Sequence, residues 1–212
     1  MSIPVTVLDY GIGNLLNVCR ALEAMGATVT LASRAHAGLE DASRMVLPGV
    51  GAFGDGMTEM KDRGLDDVVK RFVQTQRPFL GICVGMQMLF EVGEEMGEHE
   101  GLGLLGGRVI SVPAAGLDGQ PHHIPHIGWR ELRAARPWDG SILQDLQPGM
   151  RVYFVHSYAA RPTDPSTTLA ETDYDGVPIC AAVQKGNLLG CQFHPERSAA
   201  GGLRMLRRFL AL

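Results

Sequence analysis

The sequence predicts an α/β protein built as a single domain over residues 1–212, with a central mixed but mostly parallel sheet flanked by helices and a strand-rich antiparallel part added in the second half. Three observations predict it. Apolar strand-like runs alternate with helix-like patterns between residues 5 and 82, the order that lays parallel strands side by side beneath helices. From residue 107 onward, short strand patterns follow one another with turn-like breaks between them. The length of 212 residues and the 45% apolar content suffice for one substantial core.

The elements follow in order. VTVLD (5–9) is a compact apolar run and makes the first strand; Asn14 is placed to cap an amphipathic helix that ends at Gly26; TVTLA (28–32) is the second strand. MVLPGVG (45–51) supplies a third strand and a glycine turn. A helix with Leu65, Val68, Val69, Phe72 and Val73 on one face comes next, and PFLGI (78–82) makes the fourth strand. The segment EVGEEMGEHEGLGLLGG (91–107) is acidic and glycine-rich, which predicts a loop. Strands are then expected near 107–112, 126–134, 151–156, 167–171, 178–184 and 188–193, the last two joined by a hairpin-like KGN turn. Ser198 is placed to cap a final helix with Leu203, Leu206, Phe209 and Leu210 inward and Arg204, Arg207 and Arg208 in solvent.

Charge narrows the function classes. Nineteen basic against 23 acidic residues give a net charge of −4, which provides no electrostatic footprint for nucleic acid and no polybasic membrane patch. The chain opens without a basic leader, and its longest uncharged stretch, Pro78–Phe90, is too short to span a bilayer, so a cytoplasmic protein acting on metabolites or proteins is expected. Two glycine loops fail as nucleotide sites: DYGIGNLL has Leu16 where a dinucleotide fingerprint needs its third glycine, and GAFGDGMT has Met57 where a phosphate loop needs lysine. His122, His123 and His126 in HHIPHIGW are a rival, metal-binding constellation, but no carboxylate or cysteine completes a ligand spacing. Neither metal nor other cofactor is expected.

Four cysteines, at 19, 83, 180 and 191, form no disulfide or zinc framework. Cys19, Cys180 and Cys191 sit in apolar patterns and read as small core residues. Cys83 differs: the strand PFLGI runs into G-x-C-x-G and then into a helix start with Met86, Leu89 and Phe90. This pattern predicts a nucleophile elbow, with positive φ at Cys83 and with Gly81 and Gly85 present because side chains there would collide across the turn. A helix N-terminus favours the thiolate, and the amide of Val84 is placed to meet a developing oxyanion. An inert buried thiol is the alternative. In GCQFHPERS, an apolar strand ends at His194, Pro195 stiffens the exit and Glu196 follows, so an imidazole and a carboxylate that orients it lie together. The bland alternative, a capping histidine and a surface glutamate, weakens beside an elbow cysteine. PGVG (48–51) offers flexible amides for an oxyanion. His156, in YFVHSYA, is a weaker base candidate without an adjacent acid, and His36 and His99 carry no signal.

PGVG, GICVGMQ, YFVHSYA and GCQFHPERS, in that order, closely resemble class I glutamine amidotransferases over nearly the whole chain. LDYGIGNL, LPGVGAF, PHIGW, AAVQKGN and HPERS carry the resemblance further, to the glutaminase subunits of imidazole-glycerol-phosphate synthases. The resemblance implies the fold of that class and a reaction in which Cys83 attacks the side-chain amide of L-glutamine, His194 moves protons and Glu196 orients it. It implies an oxyanion hole from Val84 and a rotated Val50 amide, and a substrate pocket from Gly49, Gly51, Gln87, His156, Ser157 and Tyr158. The implied partner is a (β/α)8 cyclase subunit in a heterodimer, contacted around Asn14, Tyr153 and Arg197, which receives ammonia for histidine biosynthesis and keeps glutaminase activity weak until it is liganded. Valine at 84 departs from the more usual leucine, but only its amide is implicated. The alternatives are a glutaminase for a pyridoxal phosphate, anthranilate or purine synthase, a non-catalytic scaffold, and a cysteine peptidase or γ-glutamyl hydrolase. Gln87 beside the elbow speaks for a glutamine pocket.

Overall fold

The structure, a computed structural model, describes residues 3–212. The first half runs β1 (Ile3–Leu8), α1 (Leu15–Ala24), β2 (Ala27–Ala32), β3 (Met45–Gly49), α2 (Phe53–Asp62), α3 (Leu65–Gln74), β4 (Phe79–Cys83) and the single-turn α4 (Val84–Gln87). The second half runs β5 (Phe90–Gly93), β6 (His99–Glu100), β7 (Leu105–Ser111), β8 (His126–Ala134), β9 (Arg151–His156), β10 (Tyr158–Pro162), β11 (Thr168–Tyr174), β12 (Val177–Lys185), β13 (Leu188–Cys191) and α5 (Ala199–Leu210).

Nine strands form one mixed sheet in the order β2-β1-β3-β4-β13-β12-β11-β8-β9. Pairing is parallel from β2 to β13 and antiparallel from β13 to β9, so the antiparallel part expected from the second half extends the same sheet. Every residue of β3 and β4 is buried, as central parallel strands covered on both faces require. A second, four-stranded sheet has the order β10-β7-β5-β6. Only Ser157 separates β9 from β10, so the chain changes sheet within one residue there.

Register places the site. Gly49 pairs with Cys83, and Cys191 pairs with Ile82, so the carboxyl ends of β3, β4 and β13 finish side by side. In open α/β sheets that edge is where ligands bind. Helix α3 buries Leu65, Val68, Val69 and Phe72 as its periodicity predicts, each worth roughly 1.5–3 kcal/mol when fully removed from water. Among the described residues, no helix is long and apolar enough to cross a membrane.

Local expectations are corrected. The acidic segment 91–107 is not one loop: it contains β5, β6 and the start of β7, because β5 pairs parallel with β7 and antiparallel with β6. The helix after Cys83 stops at Gln87, and Phe90 already begins a strand. Helix α2 has no counterpart in the sequence pattern. Asn14 and Ser198 stand at helix N-cap positions without capping: Asn14 Oδ1 accepts from Asn17 Nδ2 at 2.9 Å, and Ser198 Oγ serves the turn before α5. Within α5, Met205 is fully buried while Leu203 is only partly so.

Candidate active site

Cys83 is the last residue of β4 and has φ 54° and ψ −113°, the positive φ expected of an elbow. The glycines around it are sterically required. A Cβ on Gly81 would stand 2.6 Å from the Gly85 carbonyl oxygen, and one on Gly85 would stand 1.9 Å from the Leu47 carbonyl oxygen, both closer than real Cβ atoms come to backbone. The following helix is one turn long, so its dipole gives the sulfur little support. A polar side chain stands beside it instead: Gln192 Nε2 lies 3.6 Å from Cys83 Sγ as a donor, while the backbone carbonyl of Val155, 3.9 Å away, is placed to accept from the thiol.

The imidazole arrives from β13. After Cys191 the chain continues through Gln192 and Phe193 to His194, then enters a 3-10 turn over Pro195–Arg197 that brings Glu196 back beneath the imidazole. His194 Nδ1 and Glu196 Oε1 are 2.9 Å apart, with both side chains almost completely buried. The turn is held from three sides. The His194 amide donates to the Tyr153 carbonyl at 2.9 Å, and Ser198 Oγ donates to the His194 carbonyl at 2.6 Å while accepting from the Tyr153 amide at 2.9 Å. On the third side α5 packs through Gly202, where a Cβ would come within 1.9 Å of the Pro195 carbonyl oxygen. With Nδ1 committed to Glu196, His194 Nε2 is buried and without a hydrogen-bond partner among the described residues. Burial opposes a charge on His194, but the nearby Cys83 sulfur and the hydrogen bond and charge of Glu196 outweigh it and push its pKa up to about 10.

Cys83 and His194, separated by most of the second half of the chain, face one cavity of about 350 Å³. Val50 and Gly51 line it at the end of β3, Val84 and Gln87 beside the elbow, and His156, Ser157 and Tyr158 at the corner between the two sheets. Four sequence-expected residues stand elsewhere. Gly49 is buried behind the lining, where a Cβ would meet Tyr10 Oη at 2.6 Å, so its contribution is the close approach of β3 to the elbow. Tyr153 and Arg197 lie outside, with the Arg197 guanidinium 4.3 Å from the Tyr153 ring centroid and Trp129 edge-on to the same ring at 6.1 Å. Asn14 opens α1 and is not part of the cavity.

The sequence reading missed Glu95, Pro125 and Val155 in the cavity wall, and Gln192. Glu95 Oε2 accepts the Phe53 amide at 2.8 Å, tying the cavity wall to the start of α2. Gln192 left one usable signal: it precedes His194 by two residues in an extended run, which puts both side chains on one face. His122 and His126 are engaged with protein groups. His122 Nδ1 is 2.6 Å from the Pro113 carbonyl oxygen, His126 Nδ1 is 3.0 Å from His156 Nε2, and His122 and His126 both stack on Tyr174. Burial first, then neighbouring cationic groups, lowers His126 to about 3; burial lowers His156 to about 4.

The family described as glutamine amidotransferase class-I matches residues 6–212. A Legionella pneumophila (strain Lens) protein named imidazole glycerol phosphate synthase subunit HisH 1 is 47% identical over 211 residues, covering 98% of this chain and 99% of its own. Imidazole glycerol phosphate synthase subunit HisH of Rhodopirellula baltica is 45% identical over 207 residues, covering 97% and 96%. Among solved structures, that of PurLQS from Thermotoga maritima superposes with a TM-score of 0.77 at 17% identity over 100% of this chain and 98% of that one, a likeness of fold.

Proposed function

The chain belongs to the class-I glutamine amidotransferases, and on that premise we propose a residue-by-residue account of its reaction. Its activity is that of a glutamine amidotransferase, the glutaminase subunit of imidazole glycerol phosphate synthase, releasing ammonia from L-glutamine for histidine biosynthesis. The Cys83 thiol proton resides on His194 Nε2, and the thiolate so paired with the imidazolium attacks the side-chain carbonyl carbon of glutamine. As the tetrahedral intermediate collapses, His194 returns the proton to the leaving nitrogen, and ammonia departs from a glutamyl thioester. Water activated by the same imidazole hydrolyses the thioester to glutamate and regenerates the thiol, so glutamine and water become glutamate and ammonia. Glu196 holds the tautomer that aims Nε2 at the sulfur.

The amides of Val84 and Val50 are the proposed oxyanion donors, a contribution typically worth about 3–4 kcal/mol. Gly51, Gln87, His156, Ser157 and Tyr158 form the proposed glutamine pocket, with Gly49 bringing β3 close enough to frame it. One observation carries the reading: an elbow cysteine at φ 54° and an imidazole held 2.9 Å from a buried carboxylate face the same cavity.

A partner subunit of the synthase follows from the relatives' names. We propose it to be the (β/α)8 cyclase, bound as a heterodimer in the cytoplasm by this one-domain chain. Tyr153 and Arg197 are the proposed contacts, with Asn14 at the start of α1. Exposed Ile127 and Trp129, 52% and 39% accessible, adjoin Tyr153 across the β8–β9 pair and support a protein-binding face there. The test is ammonia release from glutamine by the purified chain, alone and with cyclase and its nucleotide substrate, beside Cys83→Ser. Release that depends on Cys83 and rises with the liganded partner is expected. Equal rates for Cys83→Ser and wild type would sink the account.

A further inference from the structure

We infer that Gln192 is a further catalytic residue, whose side-chain amide donates a hydrogen bond to the Cys83 sulfur and ties that sulfur to the wall that receives glutamine. The inference deepens the glutaminase reading and rests on it. Gln192 is fully buried, and its backbone is fixed by an amide donated to the Ala181 carbonyl at 2.9 Å. Its Nε2 lies 3.6 Å from Cys83 Sγ, and its Oε1 lies 3.0 Å from Gln87 Nε2.

The direction of these bonds follows from one group that cannot change role. The Tyr158 carbonyl oxygen only accepts, and Gln87 Nε2 lies 2.9 Å from it. Gln87 must therefore present nitrogen to Tyr158, and the second hydrogen of that nitrogen points at Gln192. Gln192 must in turn present oxygen to Gln87, which leaves its own nitrogen facing sulfur. Rotating either amide by half a turn would set donor against donor or acceptor against acceptor in a buried site, where an unmade bond is costly. The carbonyl is anchored from its other side as well: His156 Nδ1 is 2.8 Å from it, and His156 Nε2 is 3.0 Å from His126 Nδ1. A hydrogen on His156 Nδ1 makes its Nε2 the acceptor and His126 the donor. Polar side chains from β8, β9, α4 and the end of β13 thus converge on one outcome, an N–H aimed at the nucleophile.

Chemically, that N–H does two things. It supports negative charge on sulfur before attack and again when the thioester breaks and sulfur leaves as thiolate. Because it is anchored through Gln87 to Tyr158, it also holds the sulfur on the pocket side of the elbow. Both amide hydrogens of Gln87 are spent in the wall, so its oxygen is what it offers to glutamine.

The experiment compares wild type, Cys83→Ser, Gln192→Met and Gln192→Glu in the complete synthase with glutamine and the cyclase's nucleotide substrate. Gln192→Met keeps the volume without the hydrogen bond; Gln192→Glu keeps the acceptor for Gln87 but turns a carboxylate oxygen toward sulfur. The expected result is a fall in kcat of about 10- to 100-fold for Gln192→Met, the size of a lost hydrogen bond to a charged group, with KM within about three-fold. Gln192→Glu is expected to be slower still, and alkylation of Cys83 by iodoacetamide to slow in the same order. A folded Gln192→Met enzyme that hydrolyses glutamine within about two-fold of wild type overturns the inference. A readout on wild type guards against loss of fold: the Gln192 side-chain amide resonance is expected to shift when Cys83 is alkylated, and an unmoved resonance also overturns it. If wild type and Cys83→Ser release ammonia equally, the glutaminase reading itself fails; if only the Gln192 variants behave as wild type, this inference fails alone.

Discussion

His194 and His156 are both buried beside the same cavity, yet their surroundings drive them to opposite charge states. Desolvation disfavours the imidazolium at both. At His194, Cys83 and Glu196 more than compensate, and the pKa rises to about 10; at His156 the Tyr158 carbonyl offsets burial only in part, and the pKa falls to about 4. His126, next to His156, falls to about 3. Burial thus sets the cost of a charge, and the partner decides whether the charge is kept. One wall of the cavity holds a proton-carrying imidazole, and the other holds neutral imidazoles whose hydrogens serve as fixed donors.

Glu196→Gln is the largest way to break this contrast. Without the carboxylate, burial acts on His194 much as it does on His156, and the amide no longer fixes the tautomer. Glutamine hydrolysis in the complete synthase is expected to fall by about 10²- to 10⁴-fold, with the fold retained by circular dichroism. Activity within about ten-fold of wild type would remove Glu196 from the mechanism.

Stability against pH reads the two walls with opposite sign. His194, raised above its ordinary value, contributes stability that is fully present below about pH 6.5 and is lost as pH climbs toward 10. His156 and His126, lowered below theirs, contribute stability that is present above about pH 6.5 and is lost as pH falls through 4 toward 3. Each proton changes stability by up to about 1.4 kcal/mol per pH unit within its window. Urea midpoints across pH are expected to flatten on the alkaline side in Glu196→Gln and on the acid side in His126→Asn. Identical pH profiles for all three proteins would refute the contrast.

His126→Phe tests the neutral wall alone. Loss of the donor leaves His156 Nε2 buried and unpaired, at a cost of about 1–3 kcal/mol, and KM for glutamine is expected to rise as the Tyr158 carbonyl loses its brace. His126→Asn, whose amide nitrogen can stand in for Nδ1, is expected to recover most of the KM. Equal KM for both variants would mean that bulk, not the hydrogen, matters at 126.

The same contrast explains what the sequence could and could not reveal. The charged wall is local: Cys83 between Gly81 and Gly85, and His194 two residues from Glu196, each state their geometry within a few residues. The neutral wall is assembled from distant segments, so Gln192 meeting Cys83, and His126 meeting His156, leave almost no local trace. Helix α2 escaped for a related reason. Its Gly54 and Gly56 lower helix propensity, yet a Cβ on Gly54 would come 2.7 Å from the His99 ring, and one on Gly56 3.0 Å from Met88 Sδ. Gly54 serves close packing whose other side lies in sequence read as loop, and Gly56 packs against the helical turn after the elbow. β5 and β6 were hidden because strands of four and two residues take their stability from partners elsewhere.

Arg197→Ala is the smallest perturbation and marks where the charged wall ends. Arg197 follows Glu196 directly, but its guanidinium leaves the turn to stack on Tyr153 at the surface, 4.3 Å from the ring centroid. An exposed contact of this kind is worth about 0.5–1 kcal/mol, and the turn itself is held by Ser198 and Gly202, which the substitution does not touch. The isolated chain is therefore expected to melt within a few degrees of wild type and to keep the alkaline limb of its pH profile, because His194 retains Cys83 and Glu196. Affinity for the partner subunit, read by titration calorimetry, is expected to fall instead. An Arg197→Ala chain that loses the alkaline limb would show that the surface stack, and not the buried carboxylate, holds the imidazole in its charged state.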